Sequence, residues 1–394
     1  MTTPVPLDAV ARLAADSVAL IESLQHGGGA YPASPAFSAY AGYSWFRDGA
    51  FTADAMSSAG AVDSASRFFD WCQRMLERRR DAIAKIVAAE AAGTPLPDER
   101  MLATRFTFDG AEGVDDWWDF QTDGYGTWVW AVAAHAQRHG LDRDRWSSGI
   151  ALSTEYLLAT WRRSCYDWWE EHAEHVHVST LGCVVAGLEA AARSGALEPA
   201  LAVRALEGAE AARALLLEQG VRDGRLTKWL GSTEVDASLA AMIAPLGVIT
   251  ATSALGLASI QAVESALSVD GGVHRYLADT FYGGGQWPLL SCMLGLAHAA
   301  AGHREQALEL LRWAAGTVTP EGWLPEQVSD HLLAPERRQE WIKRWGTVAT
   351  PLLWSHAMVV RLAVELDVLE PVTMRTSTTL PVSTPPATTP DAAL

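Results

Sequence analysis

Two glutamates in aromatic surroundings are the residues of this chain best suited to chemistry. Glu170 lies in the run DWWEE (167–171), and Glu326 lies in the run WLPEQ (323–327). Cleavage of a glycosidic bond needs one protonated and one ionised carboxyl group on opposite faces of the sugar ring. Tryptophan has a flat apolar face and a polar edge, which suit the C–H face of such a ring. The pair therefore points to glycoside chemistry.

The local surroundings predict different roles for the two glutamates. Glu170 adjoins Glu171 and two tryptophans, so like charge and desolvation should both raise its pKa. We expect it to be the proton donor. Glu326 is followed by an amide and lies near the polar run SDH (329–331), so we expect it to stay ionised as the base. Either glutamate, taken alone, could also be a solvated surface acid.

Helical periodicity recurs from end to end of the chain, and strand signals are nearly absent. We expect helices near 7–25, 49–80, 81–92, 124–139, 144–163, 175–193, 197–219, 236–246, 252–268, 286–302, 303–317 and 352–367. Every second helix follows a polar, aromatic or Gly-rich cluster: YSWFRDG (43–49), DFQTDG (119–124), DWWEEH (167–172), GSTEVD (231–236), YGGGQW (282–287) and TPLLWSH (350–356). This alternation predicts an all-α fold, the (α/α)6 barrel, with six inner and six outer helices. The inner-helix N-termini would converge on one pit and offer it partial positive charge.

Two segments depart from this pattern. The connection 93–122 is unusually long and ends in tryptophans, so we expect it to form a wall of the pit. The Thr/Pro-rich tail 371–394 is expected to pack on the domain or on a neighbouring subunit. In the second case the protein would be a homo-oligomer. Residues 1–370 contain no linker-like stretch and are predicted to form one catalytic domain.

Composition and charge exclude several classes of partner. The 394-residue chain carries a net charge of −17, which argues against nucleic acid and against anionic membrane surfaces. Its longest apolar runs are too short to cross a bilayer, and its start shows neither a basic n-region nor a small-residue cleavage site. Its four cysteines lack paired-ligand spacing and are expected to be buried free thiols, so a cytoplasmic enzyme is predicted.

The order of the motifs resembles a known family. WFRDG, QTDG, WWEEH, GGVHRYLADTFYGGGQWPLL, LPEQ and LLWSHA follow one another as in the glucoamylase-type glycoside hydrolases, family fifteen, between about residues 40 and 365. The resemblance implies an (α/α)6 barrel that releases glucose from the non-reducing end of α-glucosides with inversion. It also implies that Glu170 is the general acid, that Glu326 is the general base and that Glu171 contacts the sugar.

The same resemblance implies a set of substrate-binding residues. Arg47 and Asp48 would hold the hydroxyl groups of the terminal glucose, and Arg275 matches another sugar-binding arginine. Trp117 matches a stacking tryptophan, because it lies six residues before the Asp123-Gly124 pair. Further members of these motifs that we expect to bind substrate are Trp45, Trp118, Asp123, Trp169 and Trp287.

The substrate is expected to be a small oligosaccharide. The chain has no room for a starch-binding domain and no export signal, and it looks most like the small bacterial members that split isomaltose. A short α-1,6-linked substrate is therefore predicted. A trehalase, a maltose-preferring glucoamylase and a non-catalytic sugar-binding protein remain open as alternatives.

Acid–base chemistry of this kind requires neither a cofactor nor a metal. His172, His175 and His177 lie close together, but carboxylate or cysteine ligands at matching spacing are missing. We expect these histidines to flank the acid. The run GGG (283–285) lacks the Lys-Ser/Thr ending of a phosphate loop and is interpreted as a tight turn.

Overall fold

The computed structural model describes residues 5–113, 117 and 120–371. These residues form thirteen α-helices: α1 (Leu7–Leu24), α2 (Phe46–Ser58), α3 (Val62–Arg78), α4 (Arg80–Ala91), α5 (Asp123–His139), α6 (Ser147–Thr160), α7 (Val178–Ser194), α8 (Pro199–Gln219), α9 (Ala254–Leu267), α10 (Pro288–Ala300), α11 (Arg304–Gly316), α12 (Arg338–Trp345) and α13 (Leu353–Glu365). Three short antiparallel pairs accompany them: β1 (Tyr43–Trp45) with β2 (Arg105–Thr107), β3 (Val221–Arg222) with β4 (Arg225–Leu226), and β5 (Ser268–Val269) with β6 (Gly272–Val273).

The inner elements close into a ring. Helix α2 packs on α5, α5 on α7, and α7 on the 3-10 segment Ala237–Met242. That segment packs on α10, α10 packs on α13, and α13 returns to α2. Outside the ring, α1 covers α13, α3 covers α2, α6 and α8 cover α7, α9 covers the 3-10 segment, and α11 covers α10. The predicted (α/α)6 barrel is confirmed.

Some predicted helix bounds were wrong. The stretch 49–80 is two helices, α2 and α3, because the chain turns at Gly60, whose φ of 87° suits only a residue without a side chain. The stretch 236–246 is a 3-10 segment, since Pro245 lacks the N–H that a helix would need there. The eight-residue α12 was not predicted at all. It has only about two turns and buries no residue fully.

Close approach of the inner helices depends on small residues. A Cβ atom added to Gly126 of α5 would lie 2.2 Å from the backbone oxygen of Cys183 in α7. Any side chain there would push apart two helices whose N-terminal ends both border the pit. All four cysteines are buried and unpaired, as predicted. Among the described helices, none is long and apolar enough to span a membrane. Except for Pro371, the tail 371–394 lies outside the described residues, so its packing stays a prediction.

Candidate active site

One pocket of about 190 Å³ opens at the N-terminal ends of the inner helices. Trp45 enters it just before α2, Trp287 just before α10, and Trp354 from the first turn of α13. The pocket brings together ten of the twelve predicted site residues: Trp45, Arg47, Asp48, Trp117, Trp169, Glu170, Glu171, Arg275, Trp287 and Glu326. Of the other two, Asp123 lies behind the pocket wall, and Trp118 lies outside the described residues.

Glu170 projects into the pocket from a tight loop before α7. Its Oε1 accepts a hydrogen bond of 2.7 Å from Trp45 Nε1 and lies 4.0 Å from Arg47 Nη2. Burial raises the pKa of Glu170 to about 7, although the charge of Arg47 and the bond from Trp45 oppose the shift. The predicted direction is therefore confirmed. The like charge that assists burial comes from Asp48, whereas the sequence had suggested Glu171.

The loop that presents Glu170 is fixed by Asp167. One carboxylate oxygen of Asp167 accepts hydrogen bonds of 2.9 Å from the backbone N–H groups of both Trp169 and Glu171. The backbone N–H of Glu170 donates to the Asp167 carbonyl at 3.0 Å. Glu170 itself has a φ of 62°, in the left-handed region, which costs a residue with a side chain about 1–3 kcal/mol. The Asp167 bonds keep the loop in this conformation.

Glu326 lies deeper, with 2% of its surface exposed. Its Oε1 accepts a hydrogen bond of 2.9 Å from the Tyr40 hydroxyl group. Burial raises its pKa to about 8, against the bond from Tyr40 and the charge of Arg275. The expectation that the polar run 329–331 keeps Glu326 ionised was wrong, because Ser329 and Asp330 are exposed while burial raises the pKa of Glu326.

Helix α13 holds the loop that carries Glu326. His356 Nε2 accepts a hydrogen bond of 2.8 Å from the backbone N–H of Leu324, and the Ser355 hydroxyl donates to the Pro325 carbonyl at 2.8 Å. His356 is bonded on its other side to Ser17 of α1, so the outer helix supports the same loop. The first turn of α13 thus fixes the backbone on which the second carboxyl stands.

A buried arginine forms one side of the pocket. Arg47 Nη1 donates to Gln121 at 2.6 Å and to Asp123 at 2.9 Å, while Arg47 Nε lies 3.7 Å from Asp48. Burial raises the pKa of Asp48 to about 6, with Arg47 opposing and Asp123 assisting the rise. Asp123, which begins α5, therefore orients Arg47 from behind. Arg47 and Asp48 present polar edges to the pocket.

A second arginine faces the first across the cavity. Arg275 is clamped by Asp279 through two hydrogen bonds, one of them 2.8 Å long, and its Nη2 lies 3.5 Å from Glu171 Oε1. The Tyr276 hydroxyl group donates to the other oxygen of Glu171. Glu171 is thus held as a hydrogen-bond acceptor beside Glu170.

Aromatic rings complete the walls. Trp169 and Trp287 meet at 5.7 Å between ring centroids, and Trp117, from the connection predicted to form a wall, stacks on Trp345 at 6.3 Å. Sequence reasoning missed several lining residues: Tyr40, Trp168, Phe281, Trp341, Arg344, Trp345 and Trp354. The aromatic run WIKRW (341–345) was the available signal for α12, and the tyrosine-rich stretch before Trp45 was the signal for Tyr40.

The three clustered histidines pack beside the acid loop around one tryptophan. The His175 ring stacks on Trp229 at 4.2 Å, and His172 and His177 contact the same ring. Burial lowers the pKa of His177 to about 4, so this histidine is neutral near pH 7. Among the described residues, no group of three or more His, Cys, Asp or Glu side chains is arranged to hold a metal ion.

Two carboxyl groups of raised pKa in an aromatic pocket, at the mouth of an (α/α)6 barrel, define a glycoside hydrolase. Residues 5–319 match the sequence profile of the glycosyl hydrolases family 15, and the chain belongs to that family. It is 54% identical over 360 residues to the isomaltose glucohydrolase of Kribbella flavida, covering 91% of this chain and 94% of the relative.

Solved structures show the same similarity. A wild-type glycosidase superposes with a TM-score of 0.90 at 53% identity, covering 92% of this chain and 98% of its own. A glutamate-to-alanine glycosidase variant in complex with glucose gives the same values. A bacterial glucoamylase complexed with acarbose shares the fold, with a TM-score of 0.72 at 20% identity, over 91% of this chain and 56% of its own.

Proposed function

We propose that this chain is an inverting, exo-acting hydrolase that releases β-glucose from the non-reducing end of isomaltose and short α-1,6-linked isomalto-oligosaccharides. The observation that carries the proposal is the meeting of Glu170 and Glu326 in one pocket, each held by its own donor, Trp45 and Tyr40. The linkage is supported by the 54% identity to an isomaltose glucohydrolase.

In this mechanism the terminal glucose enters the pocket first. Arg47, Asp48 and Arg275 bind its hydroxyl groups, and the tryptophans bound its ring. The Glu170 carboxyl gives its proton to the glycosidic oxygen as the bond from C1 to that oxygen breaks and an oxocarbenium-like transition state develops. Glu326 takes a proton from a water molecule, whose oxygen bonds to C1 from the opposite face. The α-glucoside thus yields β-glucose.

The burial of Arg47, Arg275 and Glu326 at the inner end of the pocket supports exo action, because a chain end fits where the middle of a chain would not. The glucose complex of the similar glycosidase variant supports a site for one terminal sugar. We further propose that the enzyme works in the cytoplasm. Its four buried, unpaired cysteines are typical of a reducing compartment.

The proposal is tested by time-resolved proton NMR with isomaltose, maltose and trehalose in separate tubes. We expect isomaltose to be consumed fastest, and the glucose first formed from it to be richer in the β anomer than the equilibrium mixture, because the reducing-end sugar is released as both anomers. An early excess of α-glucose from isomaltose would contradict inversion. Faster cleavage of maltose or trehalose would replace the substrate while leaving the mechanism in place. Binding of isomaltose without any glucose in the three tubes would favour a sugar-binding protein. Glu170→Gln, which cannot donate the proton, is the control.

A further inference from the structure

A buried lysine lies beneath the loop that presents Glu170. Lys228 has 1% of its side chain exposed, whereas Lys85 and Lys343, the other lysines of the chain, are exposed. Its Nζ lies 3.1 Å from a carboxylate oxygen of Asp236 and 3.5 Å from one of Asp167. A buried ammonium group is costly unless it is paired. The two carboxylates that pair with Lys228 therefore indicate what it does.

Both partners hold the same loop. Asp167 accepts hydrogen bonds from the backbone N–H groups of Trp169 and Glu171, which flank Glu170. Asp236 accepts a hydrogen bond from the Trp169 side chain, whose Nε1 lies 3.0 Å from Oδ2. The loop is therefore attached at its backbone by one carboxylate and at a ring by the other, and Lys228 joins the two attachments.

Lys228 itself stands on a fixed backbone. Its N–H donates to the Glu234 carbonyl at 2.9 Å, and its carbonyl accepts from Val178, the first residue of α7, at 3.1 Å. The Tyr276 ring lies 3.1 Å from its Nζ, and the hydroxyl group of that tyrosine donates to Glu171. The cation is thus anchored to the inner helix that follows the loop and to the residue beside the acid.

We propose that Lys228 is a positioning residue for the proton donor, because it holds Asp167 and Asp236 together and so keeps Glu170 in its left-handed conformation, aimed into the pocket. Without the cation, two buried carboxylates would repel each other across a medium that screens charge weakly. One of them would take up a proton or move away, and the loop would lose one of its two attachments. Lys228 does not line the pocket, so it acts through the loop and through Tyr276. The inference rests on the proposed role of Glu170 as the acid.

The test compares two substrates that differ in their need for a proton donor. Isomaltose releases a sugar oxygen that must be protonated, whereas α-glucosyl fluoride releases fluoride, which leaves without a proton. We expect Lys228→Met to lower kcat for isomaltose about 100-fold, the size of effect that a displacement of about 1 Å causes. Turnover of α-glucosyl fluoride should fall far less, although Trp169 and Glu171 on the same loop face the glucose of both substrates. Glu170→Gln should show the same selectivity more strongly.

Arg361→Met is the control, since it removes a partly buried, carboxylate-paired cation that does not line the pocket. It should leave the ratio of the two turnover numbers at its wild-type value. An equal loss on both substrates in Lys228→Met would overturn the inference and leave the proposed function intact, because wild-type isomaltose cleavage is measured alongside. If Glu170→Gln lost both activities equally, the acid assignment and the role of Lys228 would fall together.

A second variant tests the same inference if Lys228→Met does not fold. Asp236→Asn removes one of the two carboxylates at nearly unchanged side-chain volume. We expect a smaller loss with the same selectivity for isomaltose. Unchanged activity on both substrates in this folded variant would contradict the proposed coupling between Lys228 and the loop.

Discussion

At the scale of single residues, burial acts on both reactive carboxyl groups at once. It raises the pKa of Glu170 to about 7 and that of Glu326 to about 8. Hydrolysis by inversion needs one proton on the pair, and that proton must sit on Glu170. With these values a single proton favours Glu326 over Glu170, so the productive arrangement is the less populated of the two. The bond from Tyr40 and the charge of Arg275 lower the pKa of Glu326 and so limit this preference.

These values predict a pH profile. Below about pH 7 both carboxyl groups carry protons and the base is lost, and above about pH 8 both are ionised and the acid is lost. We expect kcat/KM for isomaltose to be highest between these limits and to fall on either side. The check is a profile from pH 5 to 10, with α-glucosyl fluoride as the control that needs no acid and should keep its activity at high pH. A maximum near pH 5 would show that the carboxyl groups are not desolvated as described.

The buried charge of Glu326 also predicts a link between activity and stability. Its pKa is raised from 4.5 in the unfolded chain to about 8 in the folded one, so the folded state is weakened as the pH rises through that range. Each unit of such a shift corresponds to about 1.4 kcal/mol. Glu326→Gln should therefore lose turnover, still bind isomaltose in calorimetry, and melt several degrees above the wild type at pH 8.

This stability gain should shrink toward zero as the pH falls to 4.5, where the wild-type carboxyl group is itself protonated. Glu321→Gln, an exposed glutamate of the same loop, is the control and should change neither turnover nor melting. A gain of equal size at every pH would point to packing as its cause.

The sequence predicted the chemistry of a single residue only where that residue's neighbours in sequence are also its neighbours in space. The run DWWEE placed an acid among tryptophans, and the raised pKa of Glu170 followed from it. The pKa of Glu326 was misjudged because its burial, which raises that pKa, comes from residues elsewhere in the chain, and so does its hydrogen-bond donor Tyr40, nearly three hundred positions away. Asp123 was expected in the pocket, yet it acts from behind through Arg47, a relation that spacing could not show.

At the scale of elements, α12 is the part of the pocket that motif order did not predict. It brings Trp341, Arg344 and Trp345 to the cavity, and Arg344 lies over the Trp345 ring at 4.5 Å. These side chains are half-buried or exposed, whereas Glu326 is buried. The helix therefore lies toward the opening, where the second sugar of a disaccharide would be bound.

This placement predicts a substrate-dependent effect of Trp345→Ala. Loss of one aromatic stacking partner, worth about 1 kcal/mol, should raise KM for isomaltose about fivefold while kcat changes little. The KM for α-glucosyl fluoride should not change, because that substrate has no second sugar. Steady-state rates on both substrates make the comparison, and Lys343→Ala, an exposed change on the same helix, is the control. A rise in both KM values would mean that Trp345 supports the binding of the terminal glucose.

Helix signals were reliable where a helix packs on several neighbours and weak elsewhere. The inner helices α5, α7 and α10 were predicted to within about three residues, since their small and apolar residues repeat around the whole helix. The 3-10 segment Ala237–Met242 was predicted as a longer helix, because the apolar run was extended through Pro245, which disfavours a helical residue before it. The sequence showed which polar, aromatic or Gly-rich clusters precede inner helices. That these clusters meet in one pocket became visible only from the closed ring of helices.

At the scale of the whole molecule, the barrel depends on contact between elements far apart in sequence. Helix α13 closes the ring against α2, and an ion pair between the partly buried Arg361 and the buried Asp54 lies at this seam, with Arg361 Nε 3.1 Å from the carboxylate. Arg138 of α5 binds the other oxygen of Asp54 at 2.8 Å. Burial opposes the charge on Asp54, but the two arginines outweigh it and hold its pKa below the ordinary value of 3.8.

The seam predicts the effect of Arg361→Met on stability. Asp54 would remain buried with only Arg138 to pair with, so the variant should lose about 2 kcal/mol of unfolding free energy and melt a few degrees lower at pH 7. A depressed carboxyl pKa stabilises the fold above the unfolded value and ceases to do so as the pH falls, so the difference from the wild type should narrow below about pH 4. Urea unfolding at pH 7 and near pH 4 measures both effects.

The activity on isomaltose at 25 °C should be retained in Arg361→Met, because the seam lies outside the pocket lining. Loss of activity in the folded variant would show that closure of the ring also sets the geometry of the pocket.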